Sequence, residues 1–560
     1  MKPVPTQFEI NTPVHRGELK LAVRPWLSPY PQFTLSPAAI PRKLPPVKTL
    51  LLLLALGMPI LAEENPIAPE TPAVLPDVED GPLKEALELF NQGRHTAGVE
   101  AARKLAEEGN GDALFLLGYA SETGQGIEAS RENALEFYKQ AAAKDHKEAT
   151  YRRALILLNS KDDAEKQTGR EALETAAKTD PGTAGRILGE AYLRGLLSEK
   201  PDIDQAVKWW SSASESGDTA ALLLLARLYS GDFGFPEKAD QKKALGLFQK
   251  AADKEVEAAY LPLGSRLLNG DEELRDEKKG REWLAKAIEA KQPMAYLALG
   301  DFEENVKEDK KAAYAAYLKG AEAEQPDCML RLAGMLFNGV GVETDKKAAT
   351  DWLEKAAEAG SATAHLELAR LASSVEEPEP LKIYSHLVAA ADGGIPVAQN
   401  ELGLLYLSGK LGKADAPAAA VWLTRAAKAG LATAQNNLAT LYERGVGVTA
   451  NLNNAGELYT LAANQGHAAA TAALARMHAA GIGTEPDLPK AWALASLAVE
   501  RGDENAKKLL GELSGKLTPE LLAKAQKQLE ALKMSTPAAE EETPAEPEKP
   551  EAEESAPTEP

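Results

Sequence analysis

An all-α solenoid of about twelve helix-turn-helix repeats is the fold class that this sequence predicts, and three observations predict it. A small residue recurs every 33 to 38 positions, at Gly118, Ala154, Gly189, Ala226, Gly264, Gly300, Ala333, Ala369, Gly403, Ala439, Ala475 and Gly511. Five positions ahead of each stands a second small residue, from Ala113 and Ala149 through Cys328 to Ala434, Ala470 and Ala506. Downstream of most markers comes a residue that caps helices well: Ser130, Thr168, Asp202, Asp240, Asp276, Asp309, Asp345, Asp415, Asn451 or Asp487.

Each signal has a physical reason. Small side chains at two fixed positions let neighbouring helices approach closely, and a larger one costs about 1–3 kcal/mol by overpacking. A side-chain oxygen before a helix satisfies N–H groups that the first turn leaves without partners, worth about 1 kcal/mol. The stretch 432–466 shows the whole unit. Ala434, Leu438, Ala439, Leu441 and Tyr442 form one apolar stripe, Gly445-Val446-Gly447 breaks it, Asn451 starts a second helix, and Gly466 ends it. Two helices of about three turns are implied, neither able to bury its stripe alone. Large residues at Phe137, Trp209, Leu247, Trp283, Trp352, Trp422, Leu458 and Leu494 are expected in the core stripe of the second helices. Near Ala369 the segment Ser373–Pro380 lacks the glycine turn and a cap, which predicts a bend or a longer loop.

Composition agrees. Hydrophobic residues make up 44% of the 560 and aromatics only 6%, which suits alanine-rich helices packed closely. A net charge of −21 argues against nucleic acid or an anionic membrane surface as the main partner. The single cysteine rules out an internal disulfide framework.

In chain order, residues 1–47 are an irregular, proline-rich extension, and 48–62 read as a secretory signal. Arg42, Lys43 and Lys48 precede an apolar run, Leu50 to Ala62, that is too short to span a bilayer and is interrupted by Gly57 and Pro59. Cleavage after Ala62 is expected, with no stable membrane span; a start at Val47 would give the signal an ordinary length. Removing residues 1–62, which carry +5, leaves a mature charge of −26. Residues 63–81 form an acidic, proline-rich linker, 82–515 the repeats, 516–534 a capping helix begun by Thr518-Pro519-Glu520, and 535–560 an acidic tail expected to be disordered.

The pattern A-x-x-x-L-[GA]-x-x-Y-x-x-G-x-G-V, then D-x-x-x-A-x-x-W-x-x-x-A-A-x-x-G, resembles the Sel-one-like repeat, a relative of the tetratricopeptide repeat. The unit from Cys328 to Gly360 carries Leu332, Ala333, Gly339, Gly341, Val342, Asp345, Ala349, Trp352, Ala356, Ala357 and Gly360, departing only at Cys328 and Leu336. The resemblance covers roughly 111–515, although Gly-x-Gly is intact only at 124–126, 339–341, 445–447 and 481–483. It implies a right-handed superhelix of paired helices that binds proteins or peptides and scaffolds assemblies, often in bacterial envelopes, with no catalytic residue. The cysteine pairs of some relatives are absent here.

Chemistry is sparse. The Gly-x-Gly loops follow helices and lack the Lys-Ser/Thr or third glycine of a phosphate cradle, so they are read as turns. Cys328 occupies an alanine position and is expected to be buried. His467 and His478 could share a metal only if one helix placed both on one face. No catalytic, cofactor or metal residue is assigned. The candidate partner-binding residues are Gln399, Asn400, Gln435, Asn436 and Asn437, polar side chains on first helices able to hydrogen-bond an extended peptide. The expected function is an exported, non-enzymatic scaffold for protein or peptide partners, periplasmic or extracellular. The alternatives are a cell-envelope hydrolase and a regulator that sequesters an envelope sensor.

Overall fold

The computed structural model describes residues 81–535, and the expectations for 1–80 and for the tail beyond 535 lie outside them. Twenty-six α-helices and three short 3-10 turns fill the described chain, with no strand among the described residues. They form two compact units, residues 81–328 with Val340–Val342, and Met329–Gly339 with 343–535. Within each unit the helices run in hairpins, such as Gly111–Thr123 with Arg131–Ala142, or Ala432–Arg444 with Leu452–Asn464, and neighbouring hairpins share apolar clusters such as those running from Leu83 to Ala149 and from Ala439 to Leu513.

The small markers explain how each hairpin closes. A Cβ built on Gly118 would lie 2.6 Å from the Tyr138 ring, on Gly264 2.7 Å from Leu284, and on Gly403 2.8 Å from Leu423. Gly189 meets Trp210 and Gly300 meets Tyr317 more tightly still. Those five large side chains are fully buried. Glycine on the first helix is therefore the socket for one large side chain on the second. Gly511 is the exception: it is exposed, and a Cβ there would meet nothing within 4 Å.

The buried large residue stands one position after the one expected. Phe137, Trp209, Leu247, Trp283, Trp352, Trp422 and Leu458 are half-buried, whereas Tyr138, Trp210, Phe248, Leu284, Leu353, Leu423 and Tyr459 are buried; only Leu494 is buried as expected. The socket receives the neighbour, and the expected residue is left half-buried beside it. Burying a tyrosine or tryptophan here requires a partner for its polar atom. Trp210 Nε1 donates to the Arg186 carbonyl at 3.1 Å, Tyr459 Oη donates to Glu443 at 2.9 Å, and Tyr138 Oη donates to Glu122. The same carboxylates reach the next hairpin, Glu122 to Arg152 at 3.2 Å and Glu443 to Arg476 at 2.7 Å.

Nine of the expected caps accept hydrogen bonds as read, for example Asp415 from the Ala418 amide at 3.0 Å and Asn451 from the Asn453 and Asn454 amides at 3.1 Å. Thr168 does not. It lies inside the helix Asp163–Ala176, its hydroxyl donating back to Ala164, and Asp162 is the cap. The hairpin at Ser373–Pro380 has no longer loop: only 374–379 intervene, against 445–451 in the unit at 432–466. Its second helix starts on Pro380 with no side-chain cap. Cys328 is fully buried, as its alanine position implied.

The Gly-x-Gly turns do two jobs. Gly445, at φ +66°, ends the first helix in the left-handed region. Gly447, at φ +72°, presses on the carbonyl of Ala416, the first residue of the preceding hairpin's second helix. Gly126 meets His95, Gly341 meets Lys310, and Gly483 meets Leu452 in the same way. Where it is intact, the turn thus seats its hairpin on the one before.

Two first helices carry histidine caps that composition did not reveal: the Nδ1 atoms of His146 and His467 accept from the amides of Ala149 and Ala470 at 3.1 and 3.2 Å. Burial lowers the proton affinity of both rings below the ordinary value of 6.5, with Asp112 and Asp503 opposing it.

Replacing Gly447 by Ala adds strain and a backbone clash, while Gly466 by Ala adds only strain, because at φ +87° nothing lies within 4 Å of its Cβ. The expected costs in urea unfolding are about 1–2 kcal/mol at 466 and at least twice that at 447. Equal losses would contradict the seating role of Gly447. Since the folded histidine caps are neutral, their stability is present above pH 6.5 and lost as pH falls through their lowered values. The urea midpoint should therefore fall between pH 7.5 and 5, and His467→Asn, which keeps a cap that does not titrate, should flatten that fall.

Candidate protein-interaction surface

The five residues expected to meet a partner are not equally placed. Gln399, Asn400 and Gln435 are only 7%, 8% and 4% exposed, whereas Asn436 and Asn437 are half-buried. Gln399 Nε2 donates to the carbonyl of Ala391 at 3.1 Å, and Gln435 Nε2 to that of Ala427 at 3.2 Å, each satisfying the last turn of the preceding helix. Asn437 Nδ2 donates to Asn400 Oδ1 at 2.9 Å, tying two consecutive first helices together. The amides that recur at this register are thus held by the fold. One acceptor stays open: Gln399 Oε1 is buried without a partner. Its counterpart, Gln435 Oε1, accepts from Gln465 at 2.8 Å, and the position equivalent to Gln465 is Ala429.

A roomier surface lies in the first unit. The helices Ile203–Glu215, Thr219–Ser230 and Gln241–Asp253 enclose an open cleft of about 690 Å³. Leu222 and Leu225, 6% and 3% exposed, form its floor with Leu247 beside them. Lys243, Lys250 and Lys254 line it, the first at 5.1 Å over the Tyr229 ring and 3.4 Å from Asp240. Gly246 leaves the wall open, since a Cβ there would meet nothing within 4 Å. The carboxylates Glu215 and Asp253 line the cleft as well, so its apolar floor is bordered by both signs of charge and can hold a segment that presents leucine-like side chains downward and polar or charged ones to either side. The sequence signal was there: Lys243, Leu247, Lys250 and Lys254 repeat at i, i+4, i+7 and i+11, one face of a helix. It is masked by an overall charge of −21.

The half-buried tryptophans make a second recurring feature. Lys286 lies 4.1 Å from the Trp283 ring centre, Lys355 4.0 Å from Trp352, and Arg425 4.4 Å from Trp422, each cation one turn further along the same helix. These rings are surface platforms covered by their own cations.

His467 and His478 do not share a metal. The helix Ala468–Ala480 begins just after His467, so eleven residues of helix separate the rings by about 16 Å along the axis. Among the described residues, no three His, Cys, Asp or Glu side chains gather as a metal site requires.

The Sel1 repeat model matches this chain eight times, at 111–146, 186–218, 219–256, 258–291, 326–361, 396–431, 432–467 and 468–503. The hairpins between these matches, 147–176, 294–322 and 362–392, keep the paired helices; they lack the Gly-x-Gly turn, as do the matched repeats at 186–218, 219–256, 258–291 and 396–431. Among relatives, chitin synthase regulatory factor 3 of Schizosaccharomyces pombe is 27% identical over 266 residues, 44% of this chain and 28% of that protein. The alginate biosynthesis protein AlgK of Pseudomonas putida is 28% identical over 293 residues, 50% of this chain and 58% of that one. The chain thus spans only part of each. A protective antigen of uropathogenic Escherichia coli with an SLR fold shares 23% identity, covering 78% of this chain and 94% of that one at a TM-score of 0.45. A Sel1 repeat protein from Oxalobacter formigenes shares 26%, covering 76% and 99% at a TM-score of 0.36.

Proposed function

The chain belongs to the Sel1 repeat family, and we propose that it is an exported, non-enzymatic scaffold that holds an extended segment of a partner protein in the cleft above Leu222 and Leu225. Repeats of this family generally mediate protein–protein interaction, and the cleft is the observation that carries the reading to particular residues. It offers apolar burial, worth about 25 cal/mol per Å² of apolar surface covered, with lysines that attract carboxylates of a segment and Glu215 and Asp253 that attract its cations. Lys250 and Lys254 are the cations placed to meet a carboxylate of the segment, and Gly246 leaves room for the segment's backbone. Asn436, half-buried and outside the Asn400–Asn437 link, is a separate polar contact point on its own helix.

Export rests on the apolar run from Leu50 to Ala62 behind basic residues, and a periplasmic setting is supported by similarity to a bacterial alginate biosynthesis protein. No helix among the described residues is long and apolar enough to cross a membrane. The regulatory name of the yeast relative fits a scaffold whose bound partner is held in check.

Anisotropy of a fluorescein-labelled peptide of alternating Leu and Glu, titrated with the full chain, tests the cleft. Lys250→Glu and Gly246→Trp should each weaken binding about tenfold or more, equivalent to about 1.4 kcal/mol, and Asn436→Ala should change it far less. Unchanged affinity in both cleft variants would overturn the assignment.

A further inference from the structure

The hairpin formed by Ala362–Ser373 and Pro380–Asp392 is one that the family pattern fits least. Its second helix starts on Pro380 without a side-chain cap, and no Gly-x-Gly turn precedes it. Within it, His365 on the first helix and His386 on the second turn their rings toward each other, the two Nδ1 atoms 3.1 Å apart and the ring planes tilted by 39°. Other hairpins hold different chemistry at both positions. His365 takes the register of Gln399 and Gln435, and His386 that of Trp352, Trp422 and Leu458. Where Lys355 and Arg425 cover those tryptophans, the counterpart here is Ala389.

The separation is that of a hydrogen bond between two imidazoles. A neutral pair makes it with opposite tautomers: one ring carries its proton on Nδ1 and donates, and the other carries its proton on Nε2 and accepts. A first added proton enters at Nε2 of the donor ring and leaves the bond in place, now charge-assisted. A second has only the acceptor's Nδ1 to enter. Both Nδ1 atoms then carry protons, no acceptor remains between them, and two like charges face one another across the same gap. We propose that the His365–His386 pair is an acid-released latch, which ties the two helices of this hairpin together until both rings are charged and then lets them part.

The surroundings favour release. Both rings are half-buried, so protons reach them, and burial lowers the proton affinity of each below the ordinary value of 6.5. For His386, its neighbour His365 and Lys382 on its own helix add to that effect, while Glu354 on the helix Lys346–Glu358 opposes it. On the remaining sides the polar groups are engaged with one another. Arg370 holds Glu367 at 2.9 Å and Glu401 at 3.6 Å, and Tyr406 of the helix Pro396–Ser408 bonds Tyr384 at 3.1 Å. Since both folded values lie below the unfolded one, the latch contributes stability above pH 6.5 and loses it as pH falls through the lowered values. With no cap on its second helix and no glycine turn to seat it, this hairpin has little else to hold it once the latch is released.

Hydrogen exchange of the full chain at pH 7.5 and 5.0, corrected for the intrinsic rate at each pH, tests this hairpin by hairpin. Each unit by which a folded value lies below the unfolded one is a factor of ten in opening at low pH. Amides of 362–392 should therefore open about tenfold more at pH 5.0, while those of 396–428, a hairpin without histidine, should change far less. Combining His365→Gln with His386→Leu installs the residues of the hairpin 432–464, Gln435 and Leu458, and should abolish the difference. Circular dichroism establishes that this variant is folded, and the comparison within the parent chain stands without it. Equal acid opening of 362–392 and 396–428 in the parent, or undiminished acid opening of 362–392 in the folded double variant, would overturn the proposal.

Discussion

Close approach of two helices around one large side chain is the constraint on which the rest of this structure depends. A helix that shows glycine or alanine at its midpoint lets the neighbouring helix come near enough for Tyr138, Trp210, Leu284, Tyr317 or Leu423 to be wholly buried. The steric opening is filled by dispersion contacts and by apolar surface removed from water, so the same few atoms set both spacing and stability. Every other regularity is arranged around that fit. Caps let the second helix start where the register requires, and the turn's second glycine rests on the preceding hairpin's backbone.

Charge then joins hairpin to hairpin. Tyr138 and Tyr459 hand their hydroxyl protons toward Glu122 and Glu443, and those carboxylates accept from Arg152 and Arg476 in the next hairpin. A polar atom that had to be buried with the socket residue is satisfied by the residue that links onward. What remains accessible is the outer edge of the seams: tryptophans covered by cations, and a lysine-lined cleft over Leu222 and Leu225. The partner contacts proposed above are placed on those edges, since the interior of the repeat is committed to packing.

The repeat itself was legible because its rules are local. Spacing of small residues, cap residues and glycine turns are each read within one unit, and recurrence makes them unambiguous. Details that depend on rotation about the helix axis were not. Trp209 and Trp210 are equally apolar as letters, and only the socket at Gly189 decides which is buried. Gln399 and Gln435 read as free polar side chains because their acceptors, the carbonyls of Ala391 and Ala427, belong to the preceding helix end. His146 and His467 were hidden as caps because histidine takes that role only as the neutral Nδ1 acceptor. The facing of His365 and His386 depends on a hairpin register that no spacing rule specifies.

A double-mutant cycle at Gly403 and Leu423 tests the central claim most directly. Gly403→Ala places a methyl group 2.8 Å from Leu423 and should cost about 1–3 kcal/mol in urea unfolding. Leu423→Ala alone should cost about 2–5 kcal/mol by opening a cavity. If the socket fit governs the hairpin, the added methyl enters that cavity and the double variant loses at least about 1 kcal/mol less than the sum of the two. Strict additivity would mean that the two residues do not share one space, and the account would fail.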